Sequence, residues 1–177
     1  MKLHLGCGDK RLEGFVNVDF RETSAVDVVD DAATLKNISD GSVDLIYASH
    51  ILEHFGRNEY KDVLKRWYDV LKPRGVLRLA VPDFGAVVEW YTLTARDLTD
   101  LRGLLYGGQD YPGNFHYCCW DRTTLEKDLK EAGFVFVTSW DWKKTEHSHV
   151  DDYSQSYLPH MDKEKGMLMS LNLEATK

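Results

Sequence analysis

The sequence predicts an α/β fold built on an open, mostly parallel twisted sheet with helices on both faces. Three observations lead to this prediction. A glycine turn, Gly6 to Gly8, directly follows a short apolar run near the first residue. Strand patterns and helix patterns then alternate along the chain. Finally, the run from Gly75 to Val81 is almost continuously apolar, which is typical of a strand covered on both faces of a parallel sheet.

The first fifty residues contain four predicted strands. Each is a short run of mainly branched apolar residues that ends near a glycine or an acidic residue. The runs are Lys2 to Leu5, Phe15 to Asp19, Ala25 to Val29 and Val43 to Ala48. The segment from Gly6 to Gly14 is all that separates the first two strands, whereas a helical crossover takes about a dozen residues or more. We therefore expect a shortened first crossover that lacks its helix.

Helical patterns occupy three later segments. The predicted helices run from Asn58 to Leu71, from Phe84 to Leu105 and from Asp121 to Ala132. Pro73 follows the first of them and ends it. Asp121 is a suitable N-cap for the third, and Gly133 is a suitable C-cap. The turn-forming residues from Gly107 to Asn114 predict a long loop.

The last third of the chain predicts two strands on either side of a polar segment. Phe134 to Trp140 is the first strand. Lys143 to Gly166 is polar, so we expect an exposed excursion in which His147 and His149 are solvated. From Met167 to Thr176 apolar and polar residues alternate, which indicates a half-covered strand at or near a sheet edge. We expect this strand to run antiparallel and to be available for pairing two subunits.

Composition limits the classes of function. A length of 177 residues suits a single domain over residues 1–177. A net charge of −7 with scattered cationic residues disfavours nucleic acid as a partner, and no apolar run approaches the roughly 20 residues that cross a bilayer. The N-terminal residues lack a signal-peptide pattern. Cys118 and Cys119 are adjacent, which suits a disulfide framework poorly, so we expect buried thiols in a reduced, cytoplasmic monomer or homodimer.

The residues after the first two strands suggest a ligand site. Ligands of open parallel sheets bind beyond the carboxyl ends of the strands. Gly6 and Gly8 let the backbone turn sharply and approach a nucleoside, and Asp19 can accept hydrogen bonds from both hydroxyls of a ribose. The two features together predict a nucleoside site. The glycine loop by itself is equally compatible with an ordinary turn.

Five runs in order carry a family resemblance. They are LHLGCGDK, VNVDF, DDAATL, DGSVDLIYASHILEHF and LKPRGVLRLAVPDF, which span residues 3 to 84. They resemble the successive motifs of class I, Rossmann-like methyltransferases that use S-adenosyl-L-methionine (SAM), especially the type 11-like group acting on small molecules. The resemblance implies that fold, that cofactor and methyl transfer to a small-molecule or glycan-like acceptor. The alternative is a SAM-binding protein without catalysis, acting as a sensor or partner subunit.

The resemblance also implies roles for individual residues. The glycine loop would lie against the methionine part of the cofactor, and the acid after the second strand would take the ribose hydroxyls. The adjoining aromatic would pack on the adenine, an acid and an alanine after the third strand would hydrogen-bond to it, and two residues after the fourth strand would line the cofactor. These residues are Gly6, Cys7, Gly8, Asp19, Phe20, Asp31, Ala32, Ser49 and His50. Lys10 replaces a frequent third glycine, which disfavours NAD because a pyrophosphate prefers GxGxxG at a helix N-terminus.

The acceptor end is less defined by sequence. Methyl transfer is an in-line displacement that mainly requires alignment, and a base is needed only where the acceptor is protonated. We expect acceptor residues among Tyr111, Asn114, His116, Trp120, Asp83 and Trp90. His116 is the candidate base, with Asp83 as a second catalytic candidate. The alternative for His116 is a hydrogen bond to a loop carbonyl.

Two histidines raise the question of a metal. His50 and His54 are four residues apart, a spacing that places two imidazoles on one helical face. No third ligand is evident in the sequence, and the LEH run already matches the methyltransferase pattern. We therefore expect no metal site.

Overall fold

The computed structural model describes residues 1–94 and 96–177. Its strands are β1 (Lys2–Leu5), β2 (Val16–Asp19), β3 (Val28–Val29), β4 (Val43–Ser49), β5 (Leu71–Pro82), β6 (Val137–Ser139), β7 (Tyr157–Leu158), β8 (Met167–Leu168) and β9 (Ser170–Thr176). Seven strands form one sheet in the order β3-β2-β1-β4-β5-β9-β6, and β7 pairs with β8 separately. The strands from β1 to β5 are parallel, and β9 is antiparallel to both β5 and β6. The predicted α/β fold with an antiparallel strand near the C-terminus is confirmed.

Four α-helices accompany the sheet in the described ranges. They are α1 (Tyr60–Val70), α2 (Phe84–Leu93), α3 (Arg102–Tyr106) and α4 (Arg122–Ala132). The helix predicted from 84 to 105 is divided into α2, a 3-10 turn and α3, and its residue 95 lies outside the described residues. The cap predictions for α4 are confirmed: Asp121 forms a capping box with Thr124, and Gly133 has a φ of 112°.

The two faces of the sheet are covered in different ways. On one face, Trp67 of α1 and Leu125 of α4 pack in the main apolar core. On the other face, Leu12 and Phe15 pack against the β4 residue Tyr47. Residues 6–15, all of them described, contain no helix, which confirms the shortened first crossover. The loop that replaces the helix contributes its own apolar residues to the sheet, so no helix is needed there.

The segment from 143 to 166 departs from the prediction of an exposed excursion. His147 is 3% exposed, whereas His149 is exposed as expected. Arg78 Nη1 lies 3.3 Å from the His147 Nε2 atom, and the Tyr47 hydroxyl donates a hydrogen bond to the Asp152 carboxylate. The expectation of a solvated His147 was wrong because the polar residues of this segment find partners on the sheet.

The prediction that β9 is half-covered was also wrong, although β9 does lie near a sheet edge, next to the edge strand β6. β9 has neighbours on both sides, and its first four residues are buried. Its alternating polar residues face the interior, where Ser170 Oγ donates to Asn172 Oδ1 over 2.9 Å. Because both edges of β9 are already paired, it cannot join two subunits; the edge strands of the sheet are β3 and β6.

Two further expectations concern cysteines and membrane spans. The cysteines are free thiols, and of the three only Cys7 is buried, since Cys118 is half-buried and Cys119 is exposed. The expectation of burial holds for Cys7 alone. None of the helices in the described part of the chain is long and apolar enough to cross a membrane.

Candidate functional site

A cavity of about 810 Å³ lies beyond the carboxyl ends of β1, β2 and β4. Its volume falls in the range of roughly 300 to 1,000 Å³ that is usual for pockets binding drug-sized ligands. All nine residues that the sequence assigned to a cofactor line this cavity: Gly6, Cys7, Gly8, Asp19, Phe20, Asp31, Ala32, Ser49 and His50. The topology thus brings four separate strand ends to one place.

The glycine loop is restricted by both conformation and space. Gly6 has a φ of 61°, and a Cβ atom there would overlap Cδ1 of Ile51. Gly8 has a φ of 54°, and a Cβ there would lie 3.2 Å from Nη2 of Arg21. Residues with a Cβ rarely adopt this left-handed conformation. The loop backbone therefore forms the floor of the cavity without any intervening side chain at these two positions.

The side chain between the two glycines is inert. Cys7 is 2% exposed, and burial, aided by the nearby Asp19 carboxylate, raises the pKa of its thiol to about 11. The protonated thiol is a poor nucleophile. The Cys7 amide donates to the Val18 carbonyl over 3.1 Å, which extends the pairing of β1 with β2 into the loop. Cys7 therefore contributes its backbone, and not a reactive thiol, to the cavity.

Asp19 joins the glycine loop to the end of β2. Its carboxylate is almost fully buried, and Oδ2 accepts a hydrogen bond from the Gly8 amide over 2.8 Å. Oδ1 accepts from the Arg21 amide at 2.9 Å and from Arg21 Nε at 3.2 Å. A carboxylate offers about four acceptor positions. Three are used within the protein, and Arg21 extends from Asp19 to lie 5.0 Å from the centre of the Tyr111 ring.

Two adjacent acids after β3 have different tasks. Asp30 is buried and accepts hydrogen bonds from the Asp31 and Asn37 amides, each over 2.8 Å. Asp31 is exposed to the cavity, and its Oδ1 accepts from the Ala33 amide over 2.8 Å. Asp30 therefore shapes the turn, while Asp31 retains an oxygen for a ligand. The sequence analysis gave Asp30 no role, although a DD pair after a strand was visible.

The neighbouring wall is positioned from α1. The Trp67 indole N–H donates to the Ala32 carbonyl over 2.8 Å, which fixes the turn that carries Ala32. Phe20 is 57% exposed and presents its ring to the cavity. An apolar ring and a fixed backbone turn at the same end suit a planar heterocycle. Trp67 lies in the helix predicted from Asn58 to Leu71, and the sequence analysis gave it no role in the site.

The residues after β4 include a strained histidine and an unpaired hydroxyl. His50 has a φ of 52°, a conformation that costs free energy for a residue with a Cβ and is often found at functional sites. Its Nε2 lies 3.1 Å from Ser170 Oγ. In the described part of the chain, the buried Ser49 Oγ has no hydrogen-bond partner. Ser49 and His50 both line the cavity.

The cavity is also lined by three irregular segments, 110–114, 151–153 and 160–161, which we call the cover. The Tyr153 ring centre lies 5.4 Å from that of His50, and Asp152 accepts from the Tyr47 hydroxyl. The sequence analysis missed the parts of the cover after residue 150. Their only local signal was the Asp-x-Ser turn, in which Asp152 Oδ1 accepts from the Ser154 amide over 2.9 Å.

The two catalytic candidates do not line the cavity. Asp83 caps α2, with its Oδ1 accepting from the Gly85 amide over 2.9 Å. His116 lies behind the wall, and its Nδ1 is 2.9 Å from the Leu104 carbonyl oxygen. The sequence analysis left open a contact with a loop carbonyl; the contact is with a backbone carbonyl, but one that belongs to α3. Of the other expected acceptor residues, Tyr111 and Asn114 line the cavity, whereas Trp90 and Trp120 pack in apolar clusters.

A buried group of histidines and one acid adjoins the cavity. Glu53 is fully buried; its Oε1 lies 3.3 Å from His50 Nδ1 and 3.9 Å from His116 Nε2. Burial opposes ionisation of Glu53, but the neighbouring histidines prevail and lower the pKa of its carboxyl group. One ligand atom each from Glu53, His54 and His116 lie within 4.8 Å of one another. The sequence analysis paired His54 with His50 and found no third ligand, whereas the structure groups His54 with Glu53 and His116.

Comparison with known proteins follows this geometry. Residues 13–79 match the model of a family described as a methyltransferase domain. The structure of a SAM-dependent methyltransferase from Archaeoglobus fulgidus aligns with a TM-score of 0.60 and 18% identity, covering 99% of this chain and 85% of that one. A search of curated proteins found no match.

Two further structures have the same fold. The 1,6-didemethyltoxoflavin-N1-methyltransferase of Burkholderia thailandensis, solved with 1,6-didemethyltoxoflavin and S-adenosylhomocysteine, gives a TM-score of 0.61 at 18% identity over 99% of this chain and 70% of that one. A SAM-dependent methyltransferase of Methanosarcina mazei gives 0.58 at 14% identity over 99% and 91%. The chain thus has the class I fold that these methyltransferases share.

The cavity is acidic. Its lining includes six carboxylates, namely Asp9, Asp19, Asp31, Asp110, Asp151 and Asp152, whereas its cationic residues are Lys10 and Arg21. Such a cavity attracts cations and repels anions. Three exposed or half-exposed aromatic rings, from Phe20, Tyr111 and Tyr153, add apolar surface at its wall. The cavity can therefore hold a cationic, partly aromatic ligand together with a polar neutral molecule.

Proposed function

We propose that this protein is a SAM-dependent methyltransferase and that it transfers the methyl group of SAM to a small, neutral acceptor rich in hydroxyl groups, such as a glycan-like molecule. We further propose that residues 1–177 form a single methyltransferase domain. The observation that carries the proposal is the convergence of all nine expected cofactor residues on one cavity whose other side is a polar, acidic cover. One side then serves the cofactor, and the other serves the acceptor.

The cofactor would lie along the strand ends. Its methionine part would contact the Gly6 to Gly8 backbone, where the absence of side chains permits close approach. Its ribose hydroxyls would donate to Asp19, and Arg21 would move toward Tyr111 to free the oxygen it now contacts. The adenine would pack on Phe20, near the free oxygen of Asp31. This arrangement would place the sulfonium methyl toward His50 and the cover.

The charge of the cavity narrows the acceptor class. SAM carries a cationic sulfonium, which the six lining carboxylates favour. The same carboxylates disfavour phosphorylated or carboxylated acceptors. The cover supplies hydrogen-bonding groups from Asp110, Asn114, Asp151 and His160. These groups suit the hydroxyls of a neutral polyol, and the rim tyrosines suit the apolar face of a sugar ring.

The chemistry requires little from the protein beyond alignment. The acceptor atom forms a bond to the methyl carbon as the carbon–sulfur bond breaks, and S-adenosylhomocysteine leaves as a neutral thioether. A hydroxyl acceptor must also lose its proton. The assignment of His116 and Asp83 as catalytic residues stays a prediction. Neither residue lines the cavity: Asp83 caps a helix, and His116 lies behind His54.

Two measurements test the proposed function. Calorimetric titration should give binding of S-adenosylhomocysteine and no heat with NAD. Asp19→Ala should weaken that binding by about 1 to 3 kcal/mol, for lost hydrogen bonds to the ribose. Asp9→Ala is the matched control, since Asp9 lines the cavity without contacting the glycine loop in the same way. Unchanged affinity in Asp19→Ala would remove Asp19 from the site.

Turnover separates the enzyme from a sensor or partner subunit. The protein would be incubated with methyl-labelled SAM and a panel of neutral polyols, amines and phosphorylated sugars. We expect label on a neutral polyol and none on phosphorylated compounds. Labelling confined to anionic acceptors would contradict the proposed acceptor class. Tight cofactor binding without label on any acceptor would favour the non-catalytic alternative.

We also propose a cytoplasmic location. The free thiols of Cys118 and Cys119 are accessible, and such thiols persist in reducing compartments. Fractionation of cells that produce the tagged full chain should place it with cytoplasmic markers. Recovery from an oxidising compartment, with these thiols in a disulfide, would contradict this part of the proposal.

A further inference from the structure

The group formed by Glu53, His54 and His116 has the composition of a metal site. We call these three residues the Glu–His–His group. Their ligand atoms lie within 4.8 Å of one another, and His54 also lines the cavity. Two imidazoles and one carboxylate are a frequent ligand set of catalytic zinc and of non-haem iron. The residues come from two places in the chain, the turn after β4 and the loop before α4.

Both rings of the group have a fixed orientation. His54 Nδ1 lies 3.0 Å from the Phe115 carbonyl oxygen, and His116 Nδ1 lies 2.9 Å from that of Leu104. A carbonyl oxygen only accepts, so each Nδ1 must carry the proton and each Nε2 keeps a free lone pair. Ligating histidines in metal sites usually make this second hydrogen bond.

Glu53 is the independent observation that points to a cation. Its carboxylate is completely buried, and in the described part of the chain neither oxygen receives a hydrogen bond. A buried carboxylate without a donor is costly, and buried acids are normally paired or bound to metal. The nearest nitrogens, in His50 and His116, are 3.3 Å and 3.9 Å from Oε1.

We propose that Glu53, His54 and His116 bind a divalent transition-metal ion of the Zn²⁺ class at the acceptor end of the cavity. Imidazole nitrogen favours such ions over Mg²⁺, which prefers oxygen ligands. Bonds of about 2.0 to 2.2 Å would require the group to contract by roughly 1 Å. His116 lies in an irregular loop, and its backbone is held by the Tyr106 carbonyl, so a small shift does not break a helix or strand.

The catalytic role of the proposed metal rests on the proposed function, methyl transfer to a hydroxyl group. Three protein ligands leave at least one coordination position, as in catalytic zinc sites. Because His54 lines the cavity, that position would face the acceptor. An acceptor hydroxyl bound there would be more acidic and would pass its proton to solvent water as its oxygen–methyl bond forms and the carbon–sulfur bond breaks. A metal in this place would remove the need for a base at the cavity wall.

Metal titration tests this proposal without any turnover. Protein stripped with a chelator would be titrated with Zn²⁺ by calorimetry and with Co²⁺ by visible absorption. We expect one equivalent to bind, with the intense d–d bands of low-coordinate Co²⁺, and no comparable binding of Mg²⁺. Glu53→Gln and His116→Ala should each weaken binding at least tenfold. Glu13→Gln and His149→Ala are the matched controls at exposed positions.

Three results would overturn the proposal: no Zn²⁺ binding by the unaltered protein, wild-type affinity in both Glu53→Gln and His116→Ala, or binding of Mg²⁺ in preference to Zn²⁺. Circular dichroism reports folding of each variant, and His54→Ala, at the cavity wall, replaces any variant that fails to fold. S-adenosylhomocysteine binding is measured separately. Its absence would count against the proposed function, whereas the metal titration alone decides the metal site.

Discussion

The two sides of the cavity are built by different means. The strand-end side consists of backbone turns after β1, β2, β3 and β4, held by hydrogen bonds such as that of Asp19 with the Gly8 amide. The cover consists of irregular segments held mainly by side chains, such as Asp152 with the Tyr47 hydroxyl. The strand-end side is determined by residues close together in the sequence, and the cover is determined by contacts between residues far apart in the sequence. We infer that the strand-end side is specialised for the common cofactor and the cover for a particular acceptor.

The largest expected loss of stability comes from substitution of Gly6 on the strand-end side. Comparison with Gly41 separates the cost of a strained φ from the cost of a crowded Cβ position. Gly6→Ala should cost about 3 kcal/mol or more in stability and abolish measurable binding of S-adenosylhomocysteine, because the new Cβ would overlap Ile51 in addition to its strained φ. Gly41 has the same φ of 61° with nothing within 4 Å of its Cβ position. Gly41→Ala should therefore cost about 1 kcal/mol and leave cofactor affinity unchanged. Chemical denaturation and calorimetry measure both effects, and equal losses in the two variants would contradict the role of Ile51.

The next effect concerns the attachment of the cover at low pH. Burial, reinforced by Arg78, lowers the pKa of His147 to about 4 from an ordinary value of 6.5. The unfolded chain binds more protons between these values, so this stability is complete above about pH 6.5 and is lost as the pH falls toward 4. His147 packs on the Tyr47 ring with centres 4.2 Å apart, so its protonation should loosen the segment 143–166, which carries two of the three parts of the cover.

The expected loss from His147 between pH 7 and pH 5 is about 2 kcal/mol. His147→Gln keeps a hydrogen-bonding side chain but cannot titrate, so its stability should decline less over that interval. His149→Gln is the matched control two residues away, at an exposed position. The pKa values of His4 and His116 are also lowered, so these residues reduce the stability of every variant as the pH falls. Urea denaturation across the pH range would contradict the account if His147→Gln and the unaltered protein declined in parallel.

A smaller effect is expected from the hydrogen bond between the sheet and the cover. Tyr47→Phe removes the donor to Asp152 and should cost about 1 to 2 kcal/mol, since that carboxylate is half-buried and can still reach water. It should raise the rate of proteolysis within 143–166 more than elsewhere. Tyr68→Phe serves as a control of similar size on α1, and we expect it to be nearly neutral. Uniform proteolysis over the chain in Tyr47→Phe would show that the cover is not a separate unit.

The smallest expected effects are on ligand binding, and they distinguish the cofactor side of the cavity from the acceptor side. Phe20→Ala should weaken S-adenosylhomocysteine by about 1 kcal/mol, through loss of its exposed ring as a stacking surface. Tyr153→Ala removes an exposed ring of the cover and should leave cofactor affinity unchanged while raising the KM of the acceptor. Calorimetry and initial rates provide the two readouts. Comparable losses of cofactor affinity in both variants would contradict the division between the sides.

The strand-end side was predictable because its signals are local. A φ near 60° with a crowded Cβ position accepts little except glycine, so Gly6 is visible in the sequence itself. The caps of α4 are equally local, since Asp121 and Thr124 are three residues apart. Order along the chain then sufficed to place Asp19 and Asp31 at the same edge of the sheet.

The cover and its supporting segment were not predictable, because a polar run can be solvated or can pair with polar side chains elsewhere in the fold. A polar run is usually solvated, and the sequence does not show that His147 would find Arg78 or that Asp152 would find Tyr47 across the sheet. The same limit applied to β9, whose Ser170 and Asn172 bond to each other in the interior instead of facing water. The Glu–His–His group escaped notice for a related reason, because the sequence does not show that His116, on a distant loop, lies near Glu53.

Hydrogen exchange of the unaltered protein with and without S-adenosylhomocysteine tests the division of the cavity most directly. We predict that the ligand slows exchange in peptides covering Gly6 to Lys10, Asp19 to Arg21 and Asp31 to Ala33, with a smaller change in the cover. Peptides from α4 should exchange at the same rate in both samples. Unchanged exchange at the glycine loop, or protection strongest in the cover, would contradict the assignment of the strand-end side to the cofactor.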